Sequence, residues 1–428
     1  MNKTAEELRN EFWDKDKEQG GVIFSQYETI KKVLKTGDMD WIQQQYNAIK
    51  VHAIQMTDFY KSYCEDDQFP VVNKTFLIEH KDECTAKGGF MNPLHISSTS
   101  GSTGTPFSVV QDYMKRKRTI ADLKVFGELC DYPSHERMVF YRVINEKLHR
   151  TPEQEDMENI YYIDSSDLGS AHLEEMRKAL IEKKPRIIFS YASTLVELAR
   201  YIDSVSDSSV NYGLTSVLTA GEGISDNNRL FLQKVFGCKV YRRYSDMELG
   251  ILGQDMGDGG SYTLNWGSYY FECLKKDSDE PAESGEVGRI VITDLFNYAF
   301  PMIRYDTGDL GLMEYPQDST LPRLKEILGR SRDCVYTVDG RLLSPAKISV
   351  SMWGAEGIRQ WQFIQEDEKE YTLKINADLN TDTDQIIKKL ITILGETAVI
   401  NIKFVDEIPV VSSNKRRAVI CNYKKSNN

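Results

Sequence analysis

Hydrophobic positions follow three regimes along the chain. Through residue 80 they recur at helical spacing: Tyr27, Ile30, Val33 and Leu34 stand at i, i+3, i+6 and i+7, and a second stretch runs from Trp41 towards Tyr63. Phe69-Pro70 breaks this regime, and Asn73-Lys74 leads into a short apolar segment. From about 90 to 325, β-branched or aromatic runs (137–141, 186–189, 216–219 and 239–241) alternate with helix-like stretches such as 171–182 and 226–235. Strands alternating with helices predict an α/β domain with a substantially parallel sheet, whose ligands gather beyond the carboxyl ends of the strands. After Gly329-Arg330 the pattern changes again. Strand-like 361–365 and 371–375 precede Ile387, Leu390, Ile391 and Leu394 at i, i+3, i+4 and i+7, with Gly395 placed to end that helix and a further strand over 399–405. This is a compact ββαβ unit. The boundary falls near 328–333, giving an N-terminal domain over 1–328, mainly helical through 80, and a C-terminal domain over 329–428.

Charge narrows the function classes. Lys and Arg number 53 against 65 Asp and Glu, a net charge of −12, which argues against broad contact with nucleic-acid backbones or anionic lipid but leaves room for a local basic pocket. No apolar run is long enough to span a bilayer, and the charged N-terminus lacks the apolar core of a signal peptide. Seven scattered cysteines, none spaced C-x-x-C, suit free thiols in a reducing cytosol. The six histidines do not cluster with them, so a zinc knuckle is not expected. The expectation is a soluble cytoplasmic protein.

The strongest local signal is Ser98-Thr99-Ser100-Gly101-Ser102-Thr103-Gly104-Thr105-Pro106. Glycines let a backbone fold round an anion with amides pointing inward, and hydroxyls add donors to phosphate oxygens. It is not a Walker A loop, because G-K-[ST] is absent, and its composition also suits a solvated Ser/Gly linker. Four further segments follow in order: Ala220-Gly221-Glu222-Gly223 after one strand, Tyr244-Ser245-Asp246-Met247-Glu248 after the strand at 240–241, Arg304-Tyr305-Asp306-Thr307-Gly308-Asp309, and Gly329-Arg330-Ser331-Arg332-Asp333. Singly, each reads equally well as a turn or a helix start.

In this order the segments resemble the adenylate-forming superfamily of acyl-CoA synthetases, aryl-CoA ligases and peptide-synthetase adenylation domains, nearest to the phenylacetate-CoA ligase branch and its capsule-biosynthesis relatives. The likeness runs from about residue 69, where Phe69-Pro70-Val71-Val72-Asn73-Lys74 matches a segment of that branch, to about 420. It implies an α/β fold, a large N-terminal domain of adenylate-forming type with a small mobile C-terminal α+β domain. It also implies that ATP and Mg²⁺ serve to activate a small carboxylic acid, and that the acyl group passes to a thiol, with coenzyme A as the expected acceptor.

Residue by residue, the resemblance assigns Ser100, Gly101, Ser102, Thr103 and Gly104 to the β- and γ-phosphates and Glu248 to Mg²⁺. Asp309 falls to the ribose hydroxyls, Arg330 to the ribose neighbourhood, Gly221 and Glu222 to the edge of the adenine, and Tyr244 to stacking on it. Lys415, in Ser412-Ser413-Asn414-Lys415, would bridge the attacking carboxylate and the α-phosphate; the same stretch also reads as a solvated basic tail. Tyr141, Arg142 and residues 190–193 border the acid pocket or pack in the core, and a lone His95 reads as structural.

Several positions depart from the pattern. Phe107 stands where many members carry Lys, though the phenylacetate branch often lacks it too; Ser245 replaces Gly, Met247 replaces a hydroxyl residue, Arg332 takes the pivot position, and Asn414 replaces Gly. Asp339-Gly340-Arg341 lies in the loop that the family brings in for the second step. These changes leave the acceptor open among coenzyme A, a carrier-protein thiol and a glycan group. A homodimer and a non-catalytic nucleotide-binding protein stay as further readings.

Overall fold

The computed structural model describes the chain apart from residues 1–2, 64–68, 89–93, 99–106, 143, 145–149, 166, 317–320, 331–334, 344–347, 349–350, 353–356, 379–380, 409–417 and 424–428, and describes only the backbone of Ser98, Arg330 and Leu342. The N-terminal helical regime resolves into Ala5–Glu18, Val22–Thr36 and Met39–Met56. Thr4 and Glu7 form a capping box at the start of the first, and Gly37, left-handed at φ 66°, ends the second. Ile23, Tyr27 and Ile30 of the second helix pack on Ala121, Val125 and Phe126 of the helix Tyr113–Glu128.

A seven-stranded sheet runs in the spatial order Thr263–Leu264, Gly250–Gln254, Lys239–Asp246, Ser216–Ala220, Ile187–Ser190, Met138–Arg142, Ile160–Asp164. The last five of these are mutually parallel, and the first two join antiparallel. Helices Ser170–Lys183, Ala192–Ser204 and Asp226–Phe236 supply Leu173, Leu195, Leu198 and Leu232 to the core against Val139, Ile188, Val217 and Val240. The expected parallel α/β unit is present. One strand is longer than expected: Lys239–Asp246 takes in Tyr244, Ser245 and Asp246, so that motif begins inside the strand and only Met247 and Glu248 follow it.

The alternation does not continue to 325. Residues 269–330 form a second sheet from Tyr269–Lys275, Val287–Asp294, Tyr305–Glu314 and Arg323–Arg330, all antiparallel, with the short Val72–Asn73 added in parallel beside Tyr305–Asp306. The connections in this region are too short for the crossover helices that parallel strands require. The acidic stretch near 277–286 is the exposed hairpin between the first two strands, as expected.

The helix Tyr113–Glu128 joins the two sheets. One oxygen of Asp112 caps it through the Lys115 amide (2.8 Å), and the other accepts from the amides of Tyr298 and Ala299 (2.9 and 3.2 Å). Lys115 is fully buried and pairs with the equally buried Asp294 at 2.6 Å. Lys115 also donates to Tyr269 Oη (3.1 Å), which in turn donates to the Leu249 carbonyl. A relay of buried polar groups thus runs from the second sheet to the turn after Asp246.

The C-terminal residues build a core of their own. Strands Val399–Phe404, Glu370–Ala377, Ile358–Gln365 and Val419–Cys421 form a sheet in that order, and Ile386, Leu390 and Leu394 of the helix Asp384–Leu394 pack on Phe363, Tyr371, Leu373 and Ile375. The ββαβ order matches the hydrophobic pattern, Gly395 caps the helix at φ 114°, and Val419–Cys421 is an additional strand. Among the described residues no helix is long and apolar enough to cross a membrane.

Asp294→Asn would leave the Lys115 ammonium buried without its counter-charge, and breaking such a pair typically costs about 3–5 kcal/mol. The expected result is a large fall in the urea midpoint for Asp294→Asn and a much smaller one for the double variant Lys115→Met/Asp294→Leu.

Candidate active site

Two sheets meet where the strand Lys239–Asp246 faces the strand Tyr305–Glu314. Between Asp246 and Gly250 the chain turns tightly: Asp246 Oδ1 accepts from the amides of Leu249 (2.6 Å) and Gly250 (3.4 Å). Gly250 has φ 118°, and a β-carbon there would lie 3.3 Å from Tyr269 Oη, so glycine suits both the backbone and the space. The turn leaves Met247 exposed and brings Glu248, 8 % exposed, inward.

The facing strand answers with Tyr305 and, beyond an irregularity in which Gly308 takes φ 77°, with Asp309. Tyr305 Oη donates to Glu248 Oε1 at 2.9 Å, and Tyr244 Oη donates to Asp309 Oδ2 at 2.8 Å. Each sheet therefore gives one tyrosine and one carboxylate, and the bonds are reciprocal. Burial, then the partner carboxylate, raises both phenols well above their ordinary value, so both act as donors at neutral pH. On the opposite side of the same strand Asp306 pairs with Arg289 at 2.9 Å.

Arg304 precedes this strand in the left-handed region at φ 51°, an uncommon conformation for a residue other than glycine. Its amide donates to Thr293 Oγ1 (2.9 Å), its guanidinium bonds Glu272 (3.1 Å) and the Phe69 carbonyl (2.8 Å), and its carbonyl accepts from the Val72 amide (3.1 Å). These ties bring Val72-Asn73-Lys74 alongside the site, with Lys74 Nζ 3.9 Å from Glu248 Oε1 and 5.4 Å from the centroid of the Phe107 ring.

The hydroxyl-rich segment is represented by its two ends. Residues 100–104, with Ser100, Gly101, Ser102, Thr103 and Gly104, lie outside the described residues, but the flanking strands His95–Ser98 and Ser108–Gln111 pair antiparallel from His95↔Gln111 to Ser98↔Ser108. Ser97 Oγ donates to the Met247 carbonyl, so the base of the hairpin is tied to the residue beside Glu248. Lys415 and the Arg332-Asp333 pivot also lie outside the described residues. Arg330 is the backbone partner of Asp309 across the sheet.

Gly221 follows its strand at φ 75°. Glu222 accepts from the Ser193 amide at 3.0 Å, in the first turn of the helix Ala192–Ser204. Tyr141 and Ser190 take the core alternative: Tyr141 is fully buried and donates to the Met176 carbonyl, and Ser190 Oγ donates to the Tyr141 carbonyl. Asp339-Gly340-Arg341 forms a turn with Gly340 at φ 81° and a 2.8 Å contact between Arg341 and Asp339. The structure thus brings together Glu248, Tyr244, Asp309 and the Arg330 backbone.

Sequence reasoning assigned no role to Asp246, Tyr305 or Lys74. All three sit inside the ordered motifs, and for Asp246 the period-two spacing from Tyr244 was the available signal.

Burial, and next the neighbouring Glu248, raises the Asp246 carboxyl well above the usual carboxylate range. A divalent cation beside Glu248 would favour the ionised form of Asp246 and so release its proton. Among the described residues no group of three or more His, Cys, Asp or Glu side chains forms a cage for a metal ion. Mg²⁺ commonly takes one or two carboxylates and completes its shell with phosphate oxygens and water, so Glu248 with Asp246 fits that ion.

Comparisons with known proteins agree with this architecture. Residues 335–422 match the family described as the CapK C-terminal domain. Over 72 residues, 16% of each chain, the sequence is 38% identical to the phenylacetate-coenzyme A ligase of Thermus thermophilus. The structure is similar to 2-hydroxyisobutyryl-CoA ligase in the postadenylation state in complex with R3-HIB-AMP, with a TM-score of 0.71, 18% identity and 89% of each chain covered. It is also similar to ATP-bound MatB from Rhodopseudomonas palustris, with a TM-score of 0.54 and 14% identity over 73% of this chain and 64% of that one.

Asp246 gives a pH test. With its folded pKa raised above the unfolded value of about 4, the folded chain keeps a proton that the unfolded chain releases, so stability falls as pH rises above about 4 towards the raised value. Asp246→Asn retains an oxygen for the Leu249 and Gly250 amides and removes the charge. Its urea midpoint should gain on that of the wild type between pH 4 and pH 8; a difference independent of pH would show that Asp246 is not protonated in the way described.

Proposed function

We propose that this chain, whose fold is that of the adenylate-forming superfamily, is an AMP-forming ligase. It activates a small carboxylic acid with ATP to an acyl-adenylate and transfers the acyl group to a thiol, coenzyme A. The reading is carried by the reciprocal bonds Tyr244–Asp309 and Tyr305–Glu248, which set two carboxylates side by side in one cleft next to the base of the hydroxyl-rich hairpin. The likeness to ligases whose structures hold an acyl-AMP or ATP supports it.

In this reading residues 100–104, Thr103 among them, donate to the β- and γ-phosphates. Glu248, with Asp246 beside it, would hold Mg²⁺, which would neutralise phosphate charge when bound. Asp309, oriented by the Tyr244 hydroxyl, takes the ribose, with Arg330 opposite it in the sheet. Gly221, Glu222 and Tyr244 flank the adenine. The acid's carboxylate oxygen attacks the α-phosphorus, the α–β bridging oxygen leaves with its electron pair as pyrophosphate, and Lys415 stabilises the charge that develops on the α-phosphate. Residues 329–428 form the domain that delivers Lys415. The match of residues 335–422 to the CapK C-terminal domain favours a second reading for the last step alone, in which a non-CoA acceptor such as a carrier-protein thiol or a glycan takes the acyl group.

The deciding experiment is acid-dependent ATP–pyrophosphate exchange, screened over aryl, fatty and amino acids with and without coenzyme A. An active acid is expected, with coenzyme A accelerating AMP release; AMP release indifferent to coenzyme A selects the second acceptor reading, and absence of exchange with every acid rejects the ligase reading. Lys415→Ala should lower exchange by roughly 100-fold or more with an unchanged urea midpoint, the scale expected when one preorganised charge is lost. Asp309→Ala should weaken ATP binding in an equilibrium titration, and unchanged affinity would remove the ribose assignment.

A further inference from the structure

Lys115, Tyr269 and Asp294 are fully buried polar side chains behind the cleft, and their bonds converge on the turn that carries Glu248. The Lys115 ammonium, 2.6 Å from Asp294 Oδ2, donates to Tyr269 Oη at 3.1 Å. An ammonium can only donate, so the phenol oxygen accepts from it and the single phenol proton must point elsewhere. It goes to the Leu249 carbonyl. Burial, then the nearby Asp294, raises the Tyr269 phenol well above its ordinary value, so that proton stays in place at neutral pH.

The second observation lies on the other side of the same peptide. Asp246 Oδ1 accepts from the Leu249 amide at 2.6 Å and from the Gly250 amide at 3.4 Å. The peptide between Leu249 and Gly250 is therefore held at its carbonyl by Tyr269 and at its amide by Asp246. The preceding peptide, which joins Glu248 to Leu249, is held at its amide. Gly250 completes the fit, since at φ 118° it leaves the Tyr269 hydroxyl free to approach the turn. Stability alone gives little reason for this arrangement, because apolar residues of similar volume often stabilise a core as well as a buried ion pair does. Apolar packing cannot supply a directed bond to a carbonyl.

We propose that Tyr269 is a positioning residue for Glu248: its hydroxyl, oriented by Lys115, fixes the Leu249 peptide and so the direction in which Glu248 presents its oxygens to Mg²⁺. The proposal rests on the ligase reading for the metal that Glu248 receives, and adds to it a residue acting through the backbone from outside the cleft. Tyr305 holds the tip of the Glu248 side chain at 2.9 Å, and Tyr269 holds its root. Mg²⁺ is exacting about the geometry of its oxygen ligands, so a carboxylate of the right charge on a loose root binds it less well.

The test is equilibrium titration of the full chain with ATP, at a series of Mg²⁺ concentrations and with Mg²⁺ chelated, for wild type, Tyr269→Phe and Tyr132→Phe. Tyr132→Phe removes a bond of the same kind, to the Glu136 carbonyl at 3.0 Å, in a different core cluster. Tyr269→Phe is expected to raise the Mg²⁺ concentration that half-saturates the effect on ATP binding about tenfold, the loss usual when the support of a metal ligand is removed. ATP affinity without Mg²⁺ should stay as in the wild type. Tyr132→Phe should leave the Mg²⁺ requirement unchanged even where its urea midpoint falls as far. An unchanged Mg²⁺ requirement in Tyr269→Phe, or an equal loss of ATP affinity with and without Mg²⁺, overturns the proposal. If Tyr269→Phe does not fold, the double variant Lys115→Met/Asp294→Leu, which removes the donor that orients the hydroxyl, carries the same expectation and the same refutation. The ligase reading fails differently, through a wild type that binds ATP with Mg²⁺ but supports no acid-dependent exchange.

Discussion

Two crossed tyrosine–carboxylate bonds govern the geometry of this molecule. Tyr244 and the turn carrying Glu248 belong to the parallel sheet, Tyr305 and Asp309 to the antiparallel one, and each sheet satisfies an acid of the other. A hydrogen bond to a charged acceptor typically contributes about 1.5–3 kcal/mol, and a buried carboxylate stripped of its donor costs at least as much. Sliding the sheets past one another would break both bonds together. The arrangement therefore holds two acids close in a partly dry cleft, an unfavourable state by itself, and burial, then the nearby Glu248, raises the Asp246 carboxyl there too. Such a cleft is suited to receive positive charge and the phosphates that accompany it.

Support for this arrangement comes from behind it. Lys115, buried against Asp294, hands a bond to Tyr269, and Tyr269 hands one to the carbonyl of Leu249, next to Glu248. Buried ion pairs seldom add much net stability compared with apolar packing. Their directional bonds can still fix a turn, and this relay ends on the turn that aims a carboxylate. Gly250, at the end of that turn, leaves the Tyr269 hydroxyl the room it needs.

Much of the fold was legible in the sequence where one periodicity dominates. The N-terminal helices, the parallel strands and the helix ending at Gly395 each present a clean apolar pattern. The second, mainly antiparallel sheet was not legible as a separate unit, because its longer strands mix polar and apolar residues and mainly their brief connections separate them from the parallel sheet. Of the site, ordered motifs pointed to Glu248 and Asp309, and the structure brings these two together through their tyrosines. Tyr305 was within reach, since it belongs to the same motif and the same strand as Asp309. Lys74 stood in the matched segment 69–74, but its approach to Phe107 and Glu248 exists only after three separate segments meet.

The two-residue strand Val72–Asn73 has a wider meaning. Side chains alternate at the start of its neighbour, before the irregularity between Asp306 and Leu310, so a shift of one residue would turn Tyr305 outward and offer Asp306 to the cleft instead. The short strand, with the knuckle at Arg304 and the Arg289–Asp306 pair, acts as an indexing pin for that alternation. Mutational tolerance in the first eighty residues is thereby coupled to chemistry more than two hundred positions downstream, and neutral drift there is constrained by a mechanical link rather than by any contact with substrate.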